Sequence, residues 1–264
     1  MFSSIRLRQQ ASPRRGLTLV ELVVVLTILV ALGGLIVPVL PSMLAKTHQA
    51  KCSTTIPEVN KLWIQAYTGD VAYPDGYDSL LDQGQALADT IPGGGNAGGE
   101  LARGRVTANE AAALAAIGVT TVVDIQDAGN GLTDNATVNA APLGAPTRAL
   151  TGGGPVAVLA NVPGASSLSL GIKPAAYPTD AKFVVFGIGQ NCSGVGSGGL
   201  MVEAPIHFGG EDVMNPSEFY QRYCVIFMVS DSEESAEFVC ACSVHPDGFD
   251  GAEAHIRDYY DDQQ

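Results

Sequence analysis

The longest uninterrupted apolar stretch of the chain lies near its start. Across residues 17–40, Glu21 is the only charged residue among 24. A helix rises about 1.5 Å per residue, so a helix of this length spans the roughly 30 Å hydrocarbon core of a bilayer. The pattern therefore predicts a transmembrane helix over residues 17–40, with one acidic residue close to its beginning.

A second helical pattern follows the apolar stretch. Its apolar residues recur at spacings of four and three: Cys52, Ile56, Val59, Trp63 and Ala66. These spacings place the side chains on one face of an amphipathic helix, and we expect a sheet to cover that face. Pro57 lies inside the pattern. Because proline removes a backbone hydrogen bond and clashes with the preceding turn, we expect a kink at Pro57 or a break just before it.

Shorter elements fill the rest of the chain. Thr107 and Glu110 have the spacing of a capping box, the alanines behind them favour a helix, and Gly118 is expected to end it. Five β-rich runs lie at residues 120–125, 156–162, 182–188, 224–229 and 237–244. Their spacing is that of neighbouring strands in a sheet and not of βαβ repeats. We therefore predict the α+β class, with one α+β head over residues 41–264 built on an antiparallel sheet.

Basic residues are concentrated at the N-terminus. Residues 1–16 contain four arginines and no acidic residue: Arg6, Arg8, Arg14 and Arg15. The positive-inside rule therefore places the N-terminus in the cytoplasm and everything after about Leu40 outside it. We expect a single-pass membrane protein with an extracytoplasmic head.

The rest of the chain is acidic. Without residues 1–16 it has 10 basic and 27 acidic residues, a net charge of −17. Proteins that bind nucleic acid rely on lysine and arginine to neutralise phosphates. We therefore expect no nucleic acid among the partners of this chain.

Two other kinds of N-terminal segment share this pattern. A secretory signal peptide also has a basic start, but its apolar part has roughly 7 to 15 residues and ends at a small-residue cleavage site. The apolar run here is longer and ends in VPVLPSML. A plain single-pass anchor fits the hydropathy. It leaves Glu21 unexplained, because a charged side chain in hydrocarbon is costly and needs a partner or a function.

The residues that open the apolar run carry a family resemblance. Residues 14–21 read RRGLTLVE, which resembles the processing signature of type IV pilins and type II secretion pseudopilins. In that family a prepilin peptidase cuts after the glycine and methylates the new N-terminus. The resemblance implies a cleaved leader over residues 1–16, a cut between Gly16 and Leu17, and N-methylation of Leu17. Glu21 becomes the fifth mature residue, where the family keeps a glutamate.

The resemblance also implies a role for Glu21. In the family this glutamate is thought to pair with the N-terminal amine of a neighbouring subunit, here the amine of Leu17. An unpaired buried charge is costly, so such an assembly salt bridge sets the axial register of the subunits. The alternative interpretation is that Glu21, only five residues into the run, reaches the lipid headgroups.

Two functions remain open at this point. The resemblance implies a structural subunit of an extracytoplasmic helical filament, either a type IV pilus or the pseudopilus of a type II secretion system. The alternative is a minor pilin-like subunit that binds a ligand or surface through its head, as an adhesin does. We expect no enzyme, since the sequence has no G-x-S-x-G, H-E-x-x-H, P-loop or dinucleotide fingerprint.

The resemblance further implies a location and a set of partners. The precursor is expected in the inner (cytoplasmic) membrane, surrounded by lipid until it enters the filament. Its protein partners are then the prepilin peptidase, an inner-membrane assembly platform, other copies of itself and related pilin-like subunits.

Cysteines and acidic residues supply further candidate chemistry in the head. The chain has five cysteines, and an extracytoplasmic location permits disulfides. Cys240 and Cys242 point to the same face of a strand. If the runs at 224–229 and 237–244 pair antiparallel, Cys224 lies near either of them. These three cysteines are therefore the candidates for a disulfide, with the pairing open.

The acidic C-terminal region is a candidate calcium site. It resembles, in position and composition, the C-terminal loop where several major pseudopilins hold calcium, and Asp247, Asp250 and Glu253 would supply oxygen ligands. The spacing of an EF-hand is missing, and a solvated acidic surface is the alternative interpretation. Apart from this calcium we expect no cofactor.

Overall fold

The chain divides into two units, Met1–Met43 and Leu44–Gln264. The computed structural model describes residues 18–36, 40–88, 90–91, 100–125, 140–160, 170–207, 220–245 and 248–261. Residues 1–16 and Leu17 lie outside these ranges, and with them the predicted cleavage site.

The first helix, α1, spans Leu19–Ile36. It has a mean hydropathy of 2.8, and its 18 residues extend over about 27 Å. None of its residues is buried. It is the one helix among the described residues that is long and apolar enough to cross a membrane. A helix that is apolar on every side needs an apolar environment from outside its own chain.

The second helix, α2, spans Leu40–Asp70 and continues through Pro57. Of the two expected outcomes at Pro57, a kink or a break, the break does not occur. The predicted apolar face is confirmed, because all five of its residues are at most 9% exposed: Cys52, Ile56, Val59, Trp63 and Ala66. Pro57 lies on the exposed side of the helix, so its ring does not disturb this face.

A nine-stranded sheet forms the framework of the second unit within the described residues. Its strands are β1 (Tyr77–Asp78), β2 (Leu101–Arg105), β3 (Thr121–Val123), β4 (Thr147–Ala149), β5 (Pro155–Leu159), β6 (Lys182–Gly187), β7 (Cys224–Val229), β8 (Glu237–His245) and β9 (Gly248–Asp250). The order is β4-β3-β1-β6-β7-β8-β9, and β5 lies beside β6 with β2 next to it.

The sheet is mixed, which corrects the predicted antiparallel sheet. β1 pairs with β3 in parallel, and the other described pairs are antiparallel. A parallel pair needs a crossover connection. The chain between β1 and β3 supplies it and contains the helix α3, Ala108–Ala116.

The local signals around α3 are confirmed. The Thr107 hydroxyl accepts a hydrogen bond from the Glu110 N–H, and the Glu110 carboxylate accepts one from the Thr107 N–H, which completes the capping box. The helix is followed by Gly118 with φ of +93°. A side chain there would be strained, and its Cβ would lie 2.9 Å from Ala72.

Both faces of the sheet are covered. All six residues of β7 are buried, which explains why its sequence is apolar throughout instead of alternating. Val225, Phe227 and Val229 belong to the core that includes the apolar face of α2. Cys224, Ile226 and Met228 belong to the core on the opposite face.

Candidate functional site

The start of α1 is closed by a capping box formed by Thr18 and Glu21. The Thr18 N–H donates to Glu21 Oε2 at 2.8 Å, and the Thr18 hydroxyl donates to the same oxygen at 3.0 Å. The Glu21 N–H in turn donates to Thr18 Oγ1 at 3.3 Å. Thr18 is thus the N-cap and Glu21 the third helical residue. A carboxylate at this position also interacts favourably with the positive end of the helix dipole.

This geometry gives Glu21 a local role that the sequence analysis missed. The T-x-x-E spacing at Thr18 is the same signal that identified Thr107 and Glu110, so it was available in the sequence. Both hydrogen bonds to the Glu21 carboxylate use Oε2, and Oε1 accepts no hydrogen bond from the described residues. The carboxylate is exposed. It can therefore cap its own helix and still receive a cation on Oε1.

The remaining polar side chain of α1 is satisfied inside the helix. The Thr27 hydroxyl donates to the Val23 carbonyl at 2.8 Å. Such a bond leaves no unpaired side-chain donor on the apolar surface of α1. Glu21 is thus the only side chain of α1 with a charge to offer a neighbour.

The three candidate disulfide cysteines lie on adjacent strands. Cys224 and Cys242 are direct partners across β7 and β8, while Cys240 stands opposite Ile226. Burial raises the pKa of Cys242, and a hydrogen bond from its thiol to Cys224 adds to this rise. All five cysteines carry free thiols in this structure. The disulfide stays a prediction, and the register favours Cys224 with Cys242.

The acidic C-terminal region contains a short strand and a helix. Asp250 ends β9 and is half-buried, and Glu253 lies exposed in the first turn of the helix α4, Ala252–Asp261. Asp247 lies outside the described residues. No group of three or more His, Cys, Asp or Glu side chains in the described part of the chain is placed to hold a metal ion, and calcium stays a prediction.

A buried thiol contacts a histidine beneath α2. Cys52 Sγ lies 2.9 Å from His207 Nδ1 and 3.4 Å from the Tyr223 hydroxyl. Nucleophilic cysteines act as thiolates and have a lowered pKa. Burial instead raises the pKa of Cys52 to about 11. The thiol is protonated at neutral pH, so this pair is better described as a hydrogen-bonded part of the core.

A second buried polar group lies in the sheet. Asp78 is fully buried, and its Oδ2 accepts a hydrogen bond from the Tyr220 hydroxyl at 2.9 Å. Its Oδ1 has no hydrogen-bond partner within the described ranges. A Cβ at Gly189 would collide with this carboxyl, so only glycine fits there. Burial raises the pKa of Asp78 to about 7.

Comparison of the chain with protein-family profiles, with curated proteins and with solved structures finds no match. The observations that point to a function therefore come from the start of α1. It combines a helix that is apolar on every side with one carboxylate that has an unused oxygen. This arrangement can hold a cation beside the apolar helix α1.

Proposed function

We propose that this chain is a structural subunit of an extracytoplasmic helical filament, a type IV pilus or the pseudopilus of a type II secretion system. The observation that carries the proposal is the single carboxylate of α1, Glu21. It caps the start of a helix whose other residues are nearly all apolar. This arrangement supports the resemblance of residues 14–21 to the prepilin processing signature, because it leaves Glu21 able to act as that signature requires.

The apolar surface of α1 supplies the drive for assembly. Its large apolar side chains are all at least 50% exposed within the chain. In the precursor, lipid covers them. In the filament, the same surfaces pack against the α1 helices of other copies, so each subunit exchanges lipid contacts for helix contacts.

The charge of Glu21 determines the position of each subunit along the filament axis. Prepilin peptidase cuts between Gly16 and Leu17, and the new amine of Leu17 is methylated, which keeps its positive charge. Glu21 Oε1 then accepts a hydrogen bond from the ammonium of a neighbouring subunit. Glu21 Oε2 keeps its hydrogen bonds from Thr18. A subunit displaced by one step leaves two unpaired charges in an apolar bundle, so the pair selects the correct position.

The proposal predicts that assembly depends on the N-terminal segment. The full chain, produced with its peptidase and assembly platform, is expected in the high-molecular-weight fraction sheared from the cell surface. A variant lacking residues 1–40, exported by a separate cleavable signal peptide, is expected as a soluble acidic monomer, since it has lost the apolar surface of α1. Immunogold electron microscopy and size-exclusion chromatography measure the two results. Filaments formed by the truncated variant would show that α1 is not the assembly element.

A further inference from the structure

An aromatic groove with a volume of about 400 Å³ lies on the second unit. Three segments line it: the end of α2 with the turn after it, the segment around Tyr177, and the hairpin that joins β7 and β8. Four aromatic rings line it: Tyr67, Tyr73, Tyr177 and Phe238. We call this feature the aromatic groove.

The rings are held in place by the core beneath them. Tyr73 stacks on Tyr67 with ring centroids 4.8 Å apart, and its ring also contacts Phe227 at 5.3 Å. Tyr177 packs edge-on against Phe183 at 5.2 Å. A ligand would therefore meet preformed aromatic surfaces, with little side-chain entropy lost on binding.

The groove is negatively charged. Glu233 and Glu237 line it, and its lining contains no lysine or arginine. Residues 230–237 read SDSEESAE, with four acids and no base. Within the described part of the chain neither lining glutamate has an ion pair or a side-chain hydrogen bond.

The negative charge of Glu237 affects two of the tyrosines that line the groove. Burial raises the pKa of Tyr73 to about 12, and the neighbouring Tyr67 and Glu237 add to this rise. The pKa of Tyr177 is raised by burial and then by Glu237. Glu237 therefore lies close enough to both tyrosines for its negative charge to raise the pKa of each.

Aromatic faces and unpaired carboxylates favour the same ligand. The face of an aromatic ring is negative and attracts a cation, most strongly where water is displaced. A hard metal ion prefers six or more oxygen ligands, whereas the groove offers two carboxylates, Glu233 and Glu237, beside four aromatic rings. We propose that the aromatic groove binds an organic cation, an alkylammonium or guanidinium group, with Glu237 opposite the charge and Tyr67 and Tyr177 beside its carbon atoms.

This chemistry is available from two sources. One is a free quaternary amine, and the other is a lysine or arginine side chain presented by a polypeptide. Both place a positive charge on an apolar stem, and the volume of the groove is sufficient for either. The inference does not depend on filament assembly.

Binding can be followed on the full chain in detergent micelles, labelled with ¹³C at its methionine methyl groups. Met228 lines the groove, whereas Met201 lies elsewhere and serves as an internal control. Tetramethylammonium chloride is expected to shift the Met228 resonance until it saturates and to leave Met201 unchanged. Sodium chloride at the same ionic strength is expected to shift neither.

Variants separate specific binding from general attraction. Glu237→Gln and Tyr67→Leu are each expected to weaken tetramethylammonium binding by about fivefold, the usual size of one cation–π or exposed charge contribution. The matched control is Glu203→Gln, an exposed glutamate outside the groove, and it is expected to change nothing. An unshifted Met228, an equal shift with sodium chloride, or equal effects of Glu237→Gln and Glu203→Gln would overturn the proposal.

A second titration identifies the source. Capped lysine amide and capped arginine amide are compared with tetramethylammonium and choline. Tighter binding of the capped amino acids supports a polypeptide side chain, and tighter binding of the quaternary amines supports a small molecule. Failure of all four compounds to move Met228 would contradict both.

Discussion

Replacing Glu21 with glutamine is expected to abolish filament assembly while membrane insertion and removal of residues 1–16 continue. The amide keeps the shape of the side chain and an oxygen that can accept from Thr18, so the start of α1 remains capped. It has no charge to pair with the ammonium of a neighbouring Leu17. Insertion itself becomes slightly easier, since a carboxylate has left the hydrocarbon boundary. The measurement compares the sheared surface fraction with the membrane fraction by immunoblotting.

The matched control for this variant is Thr18→Ala. It removes the hydroxyl that caps α1 but keeps the charge of Glu21, so assembly is expected to persist. If the carboxylate serves only as a cap, Thr18→Ala will lose assembly and Glu21→Gln, which keeps the cap, will retain it. If Glu21 merely reaches the headgroups, Glu21→Gln will assemble normally. The variant must be the only copy in the cell, because unmodified subunits can incorporate it.

Replacing Asp78 with asparagine is expected to remove the fall in stability that this carboxyl causes between about pH 4 and pH 7. The ordinary pKa of an aspartic acid side chain, 3.8, is raised to about 7 by burial in the fold. Between these values the folded chain holds one more proton than the unfolded chain, so the free energy of unfolding falls as the pH rises and levels off above about 7. The three-unit difference corresponds to roughly 4 kcal/mol as an upper limit.

Asparagine does not titrate, so its advantage over Asp78 is expected to grow from near zero at pH 4 to its maximum above pH 7. Urea unfolding of the full chain in detergent across this range measures it. Asp70→Asn is the control, because Asp70 is exposed at the end of α2. Parallel stability curves for the wild type and Asp78→Asn would show that Asp78 is already ionised in the fold.

Elements with a strong local pattern could be predicted from the sequence. The buried face of α2 follows from its apolar spacing, and the capping box at Thr107 follows from two residues three apart. The predicted strand at 224–229 matches β7 at both ends. The predictions at 182–188 and 237–244 differ from β6 and β8 by one residue at one end.

Short elements were missed for physical reasons. β1, β4 and β9 have two or three residues each, too few for an alternating pattern to stand out. β2 contains two arginines and a glycine, and its pairing with β5 decides its conformation. α4 was not predicted, because its acidic region was interpreted as a calcium site or a solvated surface, although Ala254 and His255 on it are buried.

The candidate sites also differ in how far they could be predicted from the sequence. The cap at Thr18 and Glu21 is local and could have been found by its spacing. The aromatic groove could not, because its residues come from three segments, near Tyr67, near Tyr177 and at 228–238, and only the fold brings them together. The burial of Asp78 is likewise a product of the sheet and of the glycine at 189.

The mass of the mature chain tests the central claim most directly. The protein is extracted from membranes of cells that contain the prepilin peptidase, and its intact mass is measured together with that of Gly16→Leu, in which a bulky residue blocks the cleavage site. Our account predicts a chain that begins at Leu17 with one added methyl group, and an uncut Gly16→Leu chain that keeps residues 1–16. A wild-type product that begins at Met1, or one that begins beyond Pro41, would contradict it.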